Sequence, residues 1–170
     1  TGAEEGKIHG YPGHQEIELA LVKLYRVTGT HKYLELAKYL IAARGEGENY
    51  FLNEEKKPAF KRIFPDFHDY NPAYSQSHQP VRKQKTAEGH AVRANYMYSA
   101  MADLACEYED DRLKAACENL WDNMVHKRMY ITGSVGSSGI LERFTTDYDL
   151  PNASNYSETC ASIALAMFGK

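Results

Sequence analysis

Glu142 stands sixteen residues before the triplet Glu158-Thr159-Cys160. A carboxylate oxygen and a thiolate sulfur two residues apart are both ligands that zinc accepts. A glutamate outside that pair is left to move protons, as the general acid/base of a hydrolytic site does. Between them runs a Pro/Asn-rich linker with two tyrosines, Tyr148 and Tyr156. On residue type alone blander readings stay open. Glu142 on spacing alone reads more readily as a solvated loop carboxylate beside Arg143. Glu158 and Cys160 read as a first-turn helix acid and a packed thiol.

Two histidines share one local context, Gly13-His14 and Gly89-His90, 76 residues apart. This is a weak internal repeat. An imidazole both donates and accepts hydrogen bonds, which suits sugar hydroxyls; capping or packing is the competing role. His78 lies in a His-Gln-Pro-Val segment that could support such a pocket, whereas His31, His68 and His126 read as surface or loop. Tyr74, Tyr148, Tyr156 and Phe64 fall in loops where aromatic rings could take the apolar face of a sugar. Cys106 and Cys117 flank a turn at 109–111 and read as core residues on apolar stripes.

These residues need a scaffold, and the periodicity supplies helices. His14 to Val27 carries Ile17, Ala20, Leu21, Leu24 and Val27 at helical spacing, and Gly29 is placed to end the helix. Leu34, Ala37, Leu40 and Ile41 stripe the next one. Two helices joined by a few residues run antiparallel. The pattern recurs with Ala94, Met97, Met101, Leu104 and Ala105, a turn at Glu109-Asp110-Asp111, then Leu113, Ala116, Cys117, Leu120, Trp121 and Met124. The hairpins span about 14–44 and 90–126. A third begins near Ser157, a reasonable N-cap. Residues 45–89 are too long for an ordinary connection, and long loops in compact domains are often functional. Residues 130–156 follow a strand-like run, Met129-Tyr130-Ile131-Thr132, and contain Gly133, Gly136 and Gly139. They form no phosphate loop, because no Gly-Lys-Ser/Thr follows.

Composition narrows the function. The chain has 170 residues, a net charge of −3 and no basic stripe, so nucleic acid is not the expected partner. Its sequence pI is about 6.1. No run of about eighteen apolar residues suggests a membrane span. Three cysteines make no disulfide framework, and a cytoplasmic, reducing setting fits them. Thirteen tyrosines are compatible with a sugar cleft.

Helical hairpins separated by long functional loops predict an all-α fold, part of an (α/α)6 toroid. Inner helices of a toroid share a direction, so their N-termini meet at one mouth. His14, His90, Glu158 and Cys160 all sit at such starts, where unpaired N–H groups and partial positive charge collect. Six hairpins need more chain than this, so a fragment is expected. An open barrel edge would favour self-association.

Four segments carry a resemblance: GYPGHQEIELALVKLYRVTG, HQPVRKQKTAEGHAVRANYMYSAMADLA, MYITGSVGS and YDLPNASNYSETCA. They resemble glycoside hydrolase family 127, the β-L-arabinofuranosidase-like family, over nearly the whole chain. The resemblance implies an (α/α)6 barrel followed by β-sandwich domains, and a retaining glycosidase that removes terminal L-arabinofuranose. It implies that Glu142 is the acid/base, that Glu158 and Cys160 are zinc ligands, and that His14 and His90 line the sugar pocket, with Glu158 also near the substrate. It further implies two adjacent downstream cysteines that complete the zinc site, one of them the nucleophile.

The chain departs from that pattern twice. Leu141 stands where the family has glycine before the acid/base, and no adjacent cysteine pair is present. These 170 residues alone are therefore expected to be inactive. Two further readings remain: an α/α-barrel sugar epimerase using paired histidines, and a non-catalytic helical module binding glycan or protein.

Overall fold

The computed structural model describes residues 1–62 and 70–170. Phe64 and His68 lie outside the described residues. Six α-helices carry the fold: α1 (Ile17–Thr28), α2 (His31–Ala43), α3 (Tyr50–Glu55), α4 (Ala91–Glu107), α5 (Asp111–Asn123) and α6 (Thr159–Phe168). The described residues contain no β-strand, only isolated bridges.

Helix α4 is the centre. It packs against α1, α2, α5 and α6, and α1 packs on α2. Being covered on several sides, it buries Ala94, Met97, Tyr98, Met101 and Leu104 together with Asn95 and Ser99. The two polar side chains turn back on their own helix, Asn95 to the Ala91 carbonyl and Ser99 to the Asn95 carbonyl. That gives each donor a partner within its own helix, while Asn95 Oδ1 stays buried without one. Helix α5 starts on a side-chain cap, Asp110 Oδ1 accepting from the Leu113 N–H at 2.9 Å. Gly29 ends α1 in the left-handed conformation, φ 66°, its N–H on the Tyr25 carbonyl.

The stripes of α2, α4 and α5 are buried as their spacing predicts, with Trp121 half-buried against Phe168. Helix α1 differs. Ile17 is 48% exposed and Val27 86%, and Ala20 and Leu24 are exposed as well. The face turned inward is Glu18, Leu19, Leu21 and Val22. A glutamate on that face hides it from a hydrophobicity pattern. Glu18 is tolerated there because Arg44, wholly buried at the end of α2, lies 3.5 Å away and stacks on Tyr11. Arg44 also donates to the carbonyls of Pro12 and Ser75, tying the start of α1 to the long loop. A buried charge needs such pairing.

Three other expectations change. Helix α6 starts at Thr159 with Glu158 as its N-cap residue, not Ser157; the Ser157 hydroxyl is engaged with Ser134 Oγ at 2.9 Å. Met129 to Thr132 is no strand: one bridge joins Met129 to Val135 and the chain turns at once, Gly133 N–H to the Tyr130 carbonyl. Cys106 is exposed, whereas Cys117 is buried and its thiol is pushed up to about 12 by burial.

Candidate active site

The starts of α1, α4 and α6 meet, and the meeting point is a cluster of His14, His90, Glu142, Tyr156 and Glu158. His90 is the N-cap of α4, its Nδ1 accepting the Val92 N–H at 3.2 Å. That bond fixes the tautomer. Nδ1 holds a lone pair, so the ring hydrogen sits on Nε2. Nε2 lies 2.6 Å from Glu142 Oε2. Burial, assisted by the Arg93 charge, lowers the His90 imidazole to about 4 against the opposing pull of Glu142. The contact is thus a neutral N–H donating to a carboxylate rather than an ion pair, even though the distance would fit either.

The backbone around His90 is built for this contact. Gly89 has φ +72°, and an added Cβ would meet the Ala73 and Tyr74 carbonyls. The His90 N–H bonds the Tyr74 carbonyl, and the Phe144 N–H bonds the Gly89 carbonyl at 2.9 Å. Buried Phe144 and the bridges of Arg143 to His90 and Ser138 pin the loop that carries Glu142. Leu141 and Glu142 themselves adopt φ 62° and 51°. The left-handed turn at 141 explains why a glycine suits that position, and leucine pays strain to hold it.

Glu142 Oε1 accepts from Tyr156 Oη at 3.2 Å. Its side chain is 39% exposed, so it borders open space. One donor atom each from His90, Glu142 and Glu158 lie within 4.8 Å of one another. Glu158 is pushed up by burial and by the like charge of Glu142, and its Oε2 is buried without a hydrogen-bond partner. Its other oxygen lies 3.5 Å from Cys160 Sγ, and burial and Glu158 together raise that thiol. The His14 ring meets the His90 ring edge-on at 5.8 Å, and burial lowers its imidazole. His14 Nδ1 has no hydrogen-bond partner, Glu16 being 3.8 Å away.

All five residues expected from sequence are accounted for: His14, His90, Glu142 and Glu158 converge, and Cys160 flanks Glu158. Of the loop aromatics, Tyr156 reaches Glu142 through its hydroxyl and Tyr74 packs edge-on against His90 at 5.7 Å. Tyr148 is exposed, and its backbone N–H goes to the Lys127 carbonyl. His78 contacts the Gln79 side chain rather than the cluster. Arg93 was not anticipated. It lies over the Tyr74 ring at 4.6 Å and donates to the Gly13 carbonyl at 2.7 Å. Its position three residues after His90, one helical turn on, was the available signal.

The profile of the β-L-arabinofuranosidase GH127 catalytic domain matches residues 1–170. The chain belongs to this GH127 family. It is 47% identical over 169 residues to a non-reducing end β-L-arabinofuranosidase of Bifidobacterium longum subsp. longum, covering 99% of this chain and 26% of that protein. A GH127 β-L-arabinofuranosidase from Geobacillus stearothermophilus T6 superposes with a TM-score of 0.93 at 54% identity, over 99% of this chain and 26% of that one. A second GH127 β-arabinofuranosidase structure gives 0.83 at 41% identity, over 98% and 23%. The GH127 chain described here thus spans about a quarter of the length of these relatives. The fold is a portion of the family's (α/α)6 barrel. No described helix is long and apolar enough to cross a membrane.

Proposed function

We propose that this GH127 protein is a glycoside hydrolase that releases terminal L-arabinofuranose, with Glu142 as its acid/base. The observation that carries the reading is the pair of donors on Glu142, His90 Nε2–H on one oxygen and Tyr156 Oη on the other. A glycosidase acid must present its proton to the leaving oxygen from a fixed direction. His90 cannot take a proton at Nε2, because Nδ1 already accepts the Val92 N–H. Oε2 therefore remains an acceptor, and the proton that Glu142 delivers sits on Oε1, the oxygen facing Tyr156. After the sugar has transferred to the nucleophile, the same oxygen takes a proton from water, as retention requires. The names of the matched relatives supply the sugar.

His14 and Glu158 border the same cluster and would hydrogen-bond the sugar hydroxyls, the His14 side chain being 38% exposed. Glu158 and Cys160 also fit a zinc ion. A tetrahedral ion with Zn–S near 2.3 Å and Zn–O near 2.1 Å sets the two ligands roughly 3.6 Å apart, and they lie 3.5 Å apart here. The orphaned Oε2 of Glu158 fits a cation as well. Bound zinc would hold thiolates deprotonated at neutral pH. The resemblance places the nucleophile on a cysteine pair; Cys106 and Cys117, exposed on one hand and core-buried on the other, do not supply it.

An epimerase of paired histidines fits less well, since both nitrogens of His90 are engaged and neither can abstract a ring proton. The test is NMR of the products from an aryl β-L-arabinofuranoside and the intact protein. Free L-arabinose released first as the β-anomer supports the reading. An epimerised glycoside with its bond intact, or no reaction, contradicts it.

A further inference from the structure

The segments that carry His90 and Glu142 are tied together a second time, by side chains outside the cluster. Helix α5 runs on into a π-turn at Met124–Arg128, which leaves Arg128 buried, its side chain 6% exposed. Such turns are rare and often stand at functional sites. Arg128 Nη1 donates to the Ala87 carbonyl at 2.5 Å and Nε to Asp147 Oδ1 at 2.9 Å, with Glu88 Oε1 3.5 Å from Nη2. Asn123 repeats the bridge. Its Oδ1 accepts the Ala87 N–H at 2.9 Å, and its Nδ2 donates to Asp147 Oδ1 at 3.0 Å. Burial opposes the Asp147 charge, yet hydrogen bonds from Asn123, Arg128 and Lys127 hold its carboxyl down to about 2. Ala87 stands three residues before His90, and Asp147 five residues after Glu142.

Glu142 needs such an anchor. Its side chain is 39% exposed, so packing alone does not fix it. Leu141 and Glu142 are both left-handed, a backbone that persists only where the surrounding structure holds it. The bridge of Arg143 to Ser138 holds the near side of the loop. On the far side the Asp147 carboxylate is held by Arg128, and the neighbouring Tyr148 N–H by the Lys127 carbonyl at 2.9 Å. We propose that Arg128 and Asp147 are positioning residues for the acid/base: by joining Ala87 to the loop after Glu142, they set the separation of His90 and Glu142 and the direction from which Glu142 presents its proton. The proposal rests on the glycosidase reading above.

The test uses the intact protein and compares kcat/KM, which reports the bond-breaking step, for an alkyl and a nitrophenyl arabinofuranoside. Asp147→Ala is expected to lower the alkyl value about ten- to hundred-fold, the scale of a misplacement of roughly 1 Å. The nitrophenyl value should change little, because its leaving oxygen needs less help from a proton. Asp147→Asn, whose amide oxygen still accepts from Arg128 and Asn123, should keep most of the alkyl rate. A purely structural role would lower both substrates by one factor, so equal losses, or none, would overturn the proposal. Should Asp147→Ala fail to fold, Arg128→Lys carries the same comparison: it keeps the charge but lacks the fork that holds Ala87 and Asp147 together. Should the wild type cleave neither substrate, the glycosidase reading fails and crystal structures of wild type and Asp147→Ala decide. Glu142 displaced from His90 in the variant keeps the clamp; the 2.6 Å contact unchanged overturns it.

Discussion

Nε2 of His90 and Oε2 of Glu142 are 2.6 Å apart, yet the histidine is the uncharged member of the pair. His90 is 5% exposed, and burial lowers it to about 4 from an ordinary 6.5. In the unfolded chain the ring takes a proton near 6.5; in the folded one it does not until about 4. Between those values the unfolded state binds more protons. Stability therefore falls as pH drops through this window, and is fully present above it.

For the metal-free protein, that loss from His90 is on the order of 2 kcal/mol between pH 7.5 and 4.5. His14 and His78, also lowered by burial, add slope of the same sign. His90→Asn keeps a good N-cap and removes the titration. Urea midpoints at the two pH values should differ less in this variant than in the wild type. An unchanged or steeper dependence would show that His90 is not buried in neutral form.

Leu141 holds φ 62° immediately before Glu142. A leucine in the left-handed region costs about 1 kcal/mol that glycine does not. Leu141→Gly should raise the Tm of the intact protein, by no more than the roughly 2–4 °C that 1 kcal/mol gives in a domain of 150–250 residues. It should leave the hydrogen bonds of Glu142 in place, so the gain comes without loss of turnover. A lower Tm would mean that the turn is not left-handed, or that the leucine side chain packs against something more valuable than the strain it carries.

How much of this was legible follows from which residues do the work. The stripes of α2, α4 and α5 could be read because each buried face is continuous and apolar. Helix α1 could not, because its inward face contains Glu18, acceptable only through Arg44, 26 residues on. The convergence of His14, His90 and Glu158 followed from helix starts sharing one mouth; Glu142 stands at no helix start and is brought there by the bridges and hydrogen bonds of its loop. The donors that set the proton's position did not: Tyr156 reads as one more loop aromatic until its hydroxyl is placed, and the His90 tautomer depends on a backbone N–H. Ser157 looked like a cap because its type is right, but its hydroxyl is used by Ser134.

Cys160 and Glu158 are expected to bind zinc together. The Cys160 thiol lies above its ordinary range, so binding must release its proton, and affinity should rise with pH. Cys160→Ser should weaken zinc by more than the roughly 10–100-fold typical of an outer-shell change. Zinc content after dialysis and proton release in weak buffer check both points. Zinc retained undiminished by Cys160→Ser would remove Cys160 from the ligand set.

The central claim is that Glu142 moves the proton. The most direct measurement is the rate of Glu142→Gln in the intact protein on two arabinofuranosides, one with a nitrophenyl leaving group and one with an alkyl leaving group. Loss of general-acid assistance is typically 10²–10⁴-fold, and it should fall mainly on the alkyl substrate, whose oxygen needs the proton. Added azide should then restore turnover of the nitrophenyl substrate by replacing the water that Glu142 no longer activates. Equal losses on both substrates without azide rescue, or no loss at all, would contradict the assignment of Glu142.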